Sequence, residues 1–139
     1  MTGWTIKNQS PDKCHQAELV YQSDIRFGPA YYSLKIDDRL LANRIFGNCL
    51  CWSSDSKYLA TQEWLTTDYA VGPITRVLLL EIDNSKFVGL KSLDKGFVNN
   101  FVFEGNLFIY KRAAKGITRE VEVDISAIDT WEPIFSITP

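Results

Sequence analysis

Few residues in this chain have side chains suited to catalysis or metal binding, and their spacing limits what they can do. The one histidine, His15, follows Cys14 directly, while Cys49 and Cys51 share a face of a segment that reads as a strand. Three thiols and an imidazole are the donor set of a structural zinc site. The spacing argues otherwise, because such sites draw on ligand pairs two to four residues apart and adjacent Cys14 and His15 would splay to opposite sides. An odd, small number of cysteines forms no disulfide framework and reads as reduced, buried thiols. A cysteine–histidine nucleophilic pair would have to use His15, yet no nucleophile motif surrounds any cysteine or serine. No glycine-rich phosphate loop, HExxH or calcium-loop pattern occurs. The expectation is a non-catalytic chain without metal or cofactor.

Carboxylates are more informative. From Glu120 onward come Glu120, Glu122, Asp124, Asp129 and Glu132 with no Lys or Arg, directly after a basic cluster of Lys111, Arg112, Lys115 and Arg119. Opposite charges on adjacent strands need no partner if they cross-pair, at roughly a few tenths of a kcal/mol per pair. Unpaired, they form an acidic face that steers a basic protein toward it. The segment 65–73 is longer than a usual hairpin connection and is a candidate functional loop. It carries Asp68 and Tyr69 and is flanked by Trp64, which either anchors a partner or plugs the sheet edge. The expected partner-binding residues are therefore Trp64, Asp68, Tyr69, Glu120, Glu122, Asp124 and Asp129. A reading from another class is a small-ligand-binding or hydrolytic protein with Asp55, Glu63 or Asp68 in a pocket between hairpins. A third is a subunit that pairs its sheet edges with copies of itself, so monomer and dimer both stay open.

These side chains are positioned by strands. Turn formers at Ser54-Asp55-Ser56 and Asp83-Asn84-Ser85 separate runs rich in β-branched, aromatic and Leu residues, which predicts hairpins over Cys51–Leu90. Tyr32, Leu34 and Ile36 alternate with polar residues, Asp37-Asp38-Arg39 turns the chain, and Leu40–Phe46 returns before Gly47-Asn48 breaks it. Glu104-Gly105-Asn106 and Ala113–Gly116 are further turns. Ile117, Arg119, Val121, Val123 and Ile125 alternate with Thr118, Glu120, Glu122 and Asp124, the cleanest period of two in the chain. Ile128, Trp131, Ile134 and Phe135 supply apolar material to dock the tail. Residues 1–17 are polar, lack periodicity and read as mostly irregular. No amphipathic helix of useful length is evident. The predicted fold is all-β: antiparallel sheet(s) of consecutive hairpins in a single domain, 1–139, with little helix. The turn-and-return at Asp37–Ala42 echoes Asp55–Ala60 and Glu104–Ile109, but at unequal intervals, which marks shared hairpin chemistry and no repeat.

With 139 residues, 45% hydrophobic and 23% charged, the chain has the composition of a globular domain. Its net charge of −2 argues against direct nucleic-acid binding. No apolar run reaches the roughly 20 residues of a membrane span, and the N-terminus lacks the pattern of a secretory signal. A cytoplasmic location is the expectation.

Two resemblances add to this. W-S-S-D-S-K-Y-L-A (Trp52–Ala60) followed by T-R-V-L-L-L-E-I-D-N-S-K (Thr75–Lys86) resembles one blade of a WD-repeat or TolB-like β-propeller. Ser54 stands where such blades usually have proline and Ser56 where they have glycine. The likeness implies four antiparallel strands in a row, propeller-blade-like, in a chain too short to close a ring of blades. In overall character (small, acidic, free of active-site motifs) the chain is similar to the immunity proteins that bacteria pair with secreted toxins, including those of contact-dependent growth inhibition. That likeness implies a basic, nuclease-like toxin domain as partner, its active site covered by the acidic strand and the 65–73 loop.

Overall fold

Short polar corners between apolar runs turn this chain back on itself along its whole length. The computed structural model describes residues 5–24 and 28–134. In chain order the strands are β1 (Thr5–Gln9), β2 (Gln16–Asp24), β3 (Ala30–Ile36), β4 (Arg39–Leu40), β5 (Ile45–Trp52), β6 (Tyr58–Trp64), β7 (Ile74–Glu81), β8 (Lys86–Gly89), β9 (Leu93–Asp94), β10 (Gly96–Glu104), β11 (Leu107–Ala114), β12 (Ile117–Asp124) and β13 (Glu132–Pro133). Among the described residues the only helical pieces are 3₁₀ turns at Tyr69–Val71 and Ile125–Ala127, and no helix is long and apolar enough to cross a membrane. The fold is all-β, as expected.

A large sheet runs β1-β2-β3-β5-β6-β7-β8-β13, with β4 beside β3 and β9 beside β7. The remaining strands form a separate meander, β10-β11-β12. The blade-like stretch does give four antiparallel neighbours in chain order, β5 to β8. It is not a separate blade, because the sheet continues to β3 on one side and β13 on the other, and among the described residues no ring closes.

Alternation along β6 and β7 sends neighbouring residues to opposite faces, and both faces are covered. Leu59, Leu78 and Leu80 pack with Leu19, Leu34 and Phe46. Ala60, Val77 and Leu79 pack with Val98, Phe108 and Tyr110 of the meander. Ile6 of β1, Phe87 of β8 and Ile134 beyond β13 all join the first cluster, so the large sheet coils until its two ends share one core. Two polar ties fasten the meander to it: Gln62 Nε2 donates to the Val98 carbonyl at 2.7 Å, and Thr75 Oγ1 donates to the Gly96 carbonyl at 2.9 Å.

Three differences from the sequence reading have physical causes. Within residues 1–17, read as mostly irregular, Thr5–Gln9 is a strand that pairs with Gln16–Val20 in a hairpin, while residues 1–4 lie outside the described residues. Ala17 and Leu19 supply the hairpin's buried face, and the rest is polar because β1 is an edge strand. Gly47-Asn48 does not break the chain. β5 passes through it with a register shift between Phe46 and Leu50, and Gly47 is there for close approach, since a Cβ would sit 1.8 Å from Gln62 Oε1. Leu40–Phe46 returns only in part, as Asn43 takes a positive φ of 62° and β5 starts at Ile45. The tail docks as expected: Trp131 stacks on Tyr58 at 6.0 Å, while Phe135 lies outside the described residues.

Candidate functional site

The β11–β12 hairpin closes through Lys115 and Gly116, with φ of 52° and 76°, a tight left-handed pair that keeps the strands in register. Lys111 then stands opposite Glu120, Ile109 opposite Glu122, and Leu107 opposite Asp124. On the other side of β11, Val102 opposes Ile109 and Glu104 opposes Leu107. Residues directly opposite share a face, so Glu104, Glu120, Glu122 and Asp124 lie together on the outer face of the meander around Val102, Leu107 and Ile109. Phe103, Phe108, Tyr110, Val121 and Val123 are turned to the core.

The charge-matched hairpin is formed only once, at Lys111 and Glu120. Arg112 faces Arg119, and its guanidinium donates to the carbonyls of Lys91 and Ser92 at 2.9 and 3.1 Å. Among the described residues, the ion pairs join His15 to Asp37 and Asp83, and Glu63 to Arg44 and Arg76; none involves the outer-face acids. Asp124 is partly committed, accepting from Ser126 N at 3.0 Å and Ser126 Oγ at 2.6 Å to cap the 3₁₀ turn. Asp129 is exposed but lies beyond that turn, off the meander.

The 65–73 loop is not beside these acids. It leaves the large sheet near the Gly96 end of β10, where Gly96 N donates to the Pro73 carbonyl, whereas Asp124 belongs to the Glu104 end. Nine residues of strand, roughly 25 Å, separate the two ends. Trp64 is only 3% exposed; its Nε1 donates to Gln62 Oε1 at 3.1 Å and its ring meets Phe97 edge-on at 5.3 Å. It plugs the sheet and offers no anchor to a partner. Asp68 accepts from Ala70 N at 3.0 Å and orders its own loop. The side chain of Tyr69 lies outside the described residues.

The thiols and the histidine take separate paths. Burial pushes the Cys49 and Cys51 thiols above their ordinary pKa, which disfavours the nucleophilic thiolate. Cys14 is exposed. His15 lines a polar cleft of about 270 Å³ with Glu18, Asp37 and Asp38, but both ring nitrogens are directed at carboxylates: Nδ1 lies 2.6 Å from Asp37 Oδ2 and Nε2 lies 3.7 Å from Asp83 Oδ1. Its ring also stacks on Trp52 at 6.5 Å. Held at Nδ1 by Asp37 and with Nε2 facing Asp83, His15 clasps three corners of the sheet together. The hydrogen bond to Asp37, ahead of the nearby charges, raises its pKa. Among the described residues no three His, Cys, Asp or Glu side chains are grouped to hold a metal ion.

Sequence reasoning missed the corner that positions His15. In Ser10–His15, Ser10 Oγ donates to Asp12 Oδ1 at 2.7 Å, Cys14 N donates to the same oxygen at 2.9 Å, and His15 N donates to Ser10 Oγ at 3.0 Å. Ser53–Tyr58 repeats this arrangement with Ser53, Asp55, Lys57 and Tyr58 at 2.6, 3.1 and 3.0 Å. The signal was available, since Ser10-Pro11-Asp12 supplies the proline that Ser54 lacks. The two corners touch where Asp12 N donates to Ser56 Oγ at 3.0 Å.

Asp55, Glu63 and Asp68 do not converge on a pocket. Asp55 belongs to its corner. Glu63, 3% exposed, is gripped by Arg44 Nη1 at 2.6 Å and Arg76 Nε at 2.7 Å. The cavity between the sheets, about 340 Å³, is lined by Tyr32, Trp64, Phe97, Gln62, Asn48 and Asn99, together with Cys49, and among the described residues by no carboxylate. Comparison with protein-family models, curated proteins and solved structures finds no match to this chain.

Proposed function

We propose that this chain is a non-catalytic protein-binding module that presents the outer face of the β10–β12 meander to a basic protein partner. The observation that carries this reading is the register of β11 with β12. Glu122 and Asp124 stand across from Ile109 and Leu107, so their charge finds no cation across the hairpin. Crowded carboxylates on one sheet face repel one another, and a cationic partner relieves that repulsion while being steered toward it. Val102, 44% exposed on the β10 side of the face, adds apolar area next to Ile109 and the carboxylates of β12, a mixture of apolar and charged groups suited to docking.

The partner class that suits such a face is a basic, nuclease-like toxin domain. A groove evolved to hold phosphates must be cationic, and an acidic sheet laid over it competes with the nucleic acid. This is the immunity-protein reading, with the chain acting in the cytoplasm. The test is affinity capture from the source cell with the wild-type chain and with a Glu104→Gln/Glu120→Gln/Glu122→Gln variant. The wild type is expected to retain a basic protein, with affinity falling about tenfold or more (roughly 1.4 kcal/mol) as salt is raised, and the variant to lose it. Affinity indifferent to salt and to the three substitutions overturns the reading.

A further inference from the structure

β12 is the outer strand of the meander, and its hydrogen-bonding pattern says how a partner would attach. It pairs with β11 over its full length without a register shift. Among the described residues no strand pairs with its other edge. Ile117 to Glu120 are all exposed, Ile117 at 58%. Ile125 N donates to the Asn106 carbonyl at 2.8 Å, one step beyond the Leu107–Asp124 pair. Residues that bond a given neighbour alternate along an antiparallel strand. Ile117, Arg119, Val121 and Val123 therefore bond β11, and the N–H and C=O groups of Thr118, Glu120 and Glu122 point to the free edge. These are also the residues whose side chains stand on the outer face.

Sheet edges are usually blunted by shortness, bulges, Pro or charged side chains, Lys above all. β10, the opposite rim of the meander, follows that rule, with a register shift between Asn99 and Val102 and Asn100 at a φ of 55°. β12 has eight residues and no bulge or Pro, so its only guard is charge, with the carboxylates of Glu120 and Glu122 deterring neutral and anionic strands but not a cationic one. A second copy is a poor occupant. A two-fold axis normal to the sheet pairs residues of like face, which sets Glu120 against Glu120 or Glu122, or Arg119 against Arg119, in registers centred on the strand. An extended cationic segment meets none of these repulsions.

We infer that β12 is a strand-addition site, at which an extended partner segment with Lys or Arg at alternate positions bonds the outward backbone groups of Thr118, Glu120 and Glu122 and sets its cations beside Glu120 and Glu122. The inference rests on the acidic-face reading and adds a backbone mechanism to it. The probe is a synthetic peptide of about eight residues alternating Lys with Val or Thr, compared with a peptide of the same composition whose lysines are contiguous. Amide hydrogen exchange followed by NMR is expected to slow at Thr118, Glu120 and Glu122 with the alternating peptide only. Thr118→Pro removes an outward N–H, leaves every charge in place and breaks no bond to β11, so it is expected to fold normally and to weaken binding roughly fivefold. Glu120→Gln/Glu122→Gln is expected to weaken binding and flatten its salt dependence. Weakening by the charge variant alone, with exchange unchanged at the three amides, overturns strand addition and leaves the acidic face standing. Binding unaffected by either variant overturns both.

Discussion

Glu63 on β6 and Glu122 on β12 carry the same group on the same kind of element, and the chain treats them oppositely. Glu63 is buried between Arg44 and Arg76, one guanidinium on each carboxylate oxygen. Glu122 is exposed opposite Ile109. Burying a carboxylate without cations costs several kcal/mol, so the interior one brings two arginines, while the exterior one needs none from its own chain. The surface charge is thereby left available to another molecule.

The contrast is breakable. Glu63→Gln is expected to cost about 3 kcal/mol, since it strands two half-buried guanidiniums, and a urea-unfolding midpoint with an unchanged slope measures it. Equal losses from Glu63→Gln and Glu122→Gln would erase the distinction. Gly89→Ala is the next largest, at about 1–3 kcal/mol, because its Cβ would lie 2.4 Å from Arg76 Nη1. A double-mutant cycle sharpens the assignment: the cost should shrink when Arg76 is already Ala.

A pH series tests the histidine clasp. His15 is held by Asp37 and Asp83, and its pKa is raised in the folded state. A raised folded pKa means that its stabilisation is complete below the unfolded value of about 6.5 and is lost as pH climbs through the higher folded one. Unfolding midpoints at pH 6 and pH 9 should diverge more for the wild type than for His15→Gln. Parallel curves would show that the clasp contributes nothing. The smallest expected effect is that of Glu122→Gln on stability, within about 0.5 kcal/mol, against its larger effect on binding.

What could be read from residues alone follows how local each cause is. The alternation at Ile117–Ile125 is visible because one face of that strand is wet, and the acidic run is visible because it lies within a single strand. Corners at Asp55, Asn84 and Gly105 announce themselves through side chains that bond their own backbone. The β1–β2 hairpin was obscured because its outer strand is an edge with only Ile6 facing the core. The burial of Trp64 depends on Gln62 and Phe97, and the latter is brought in by a different sheet. The pairing of Arg76 with Glu63 cannot be counted across a loop as long as 65–73, since its length leaves the hairpin alignment open. The separation of that loop from the acids is a property of how β10 is laid down, which no local pattern encodes.

Because β6 is covered on both sides, apolar character alone gives it little reason to prefer one alignment over a neighbouring one: Leu59 and Ala60 face two different cores, and either core accepts aliphatic residues. Slipping the strand by a single position would carry Glu63 to the side of Val77 and Val98 and leave Arg44 and Arg76 confronting hydrocarbon. The buried carboxylate thus acts as a key that fits one alignment, and exchanging all three charged residues for aliphatic ones should yield a chain that collapses readily but holds its central strand less uniquely.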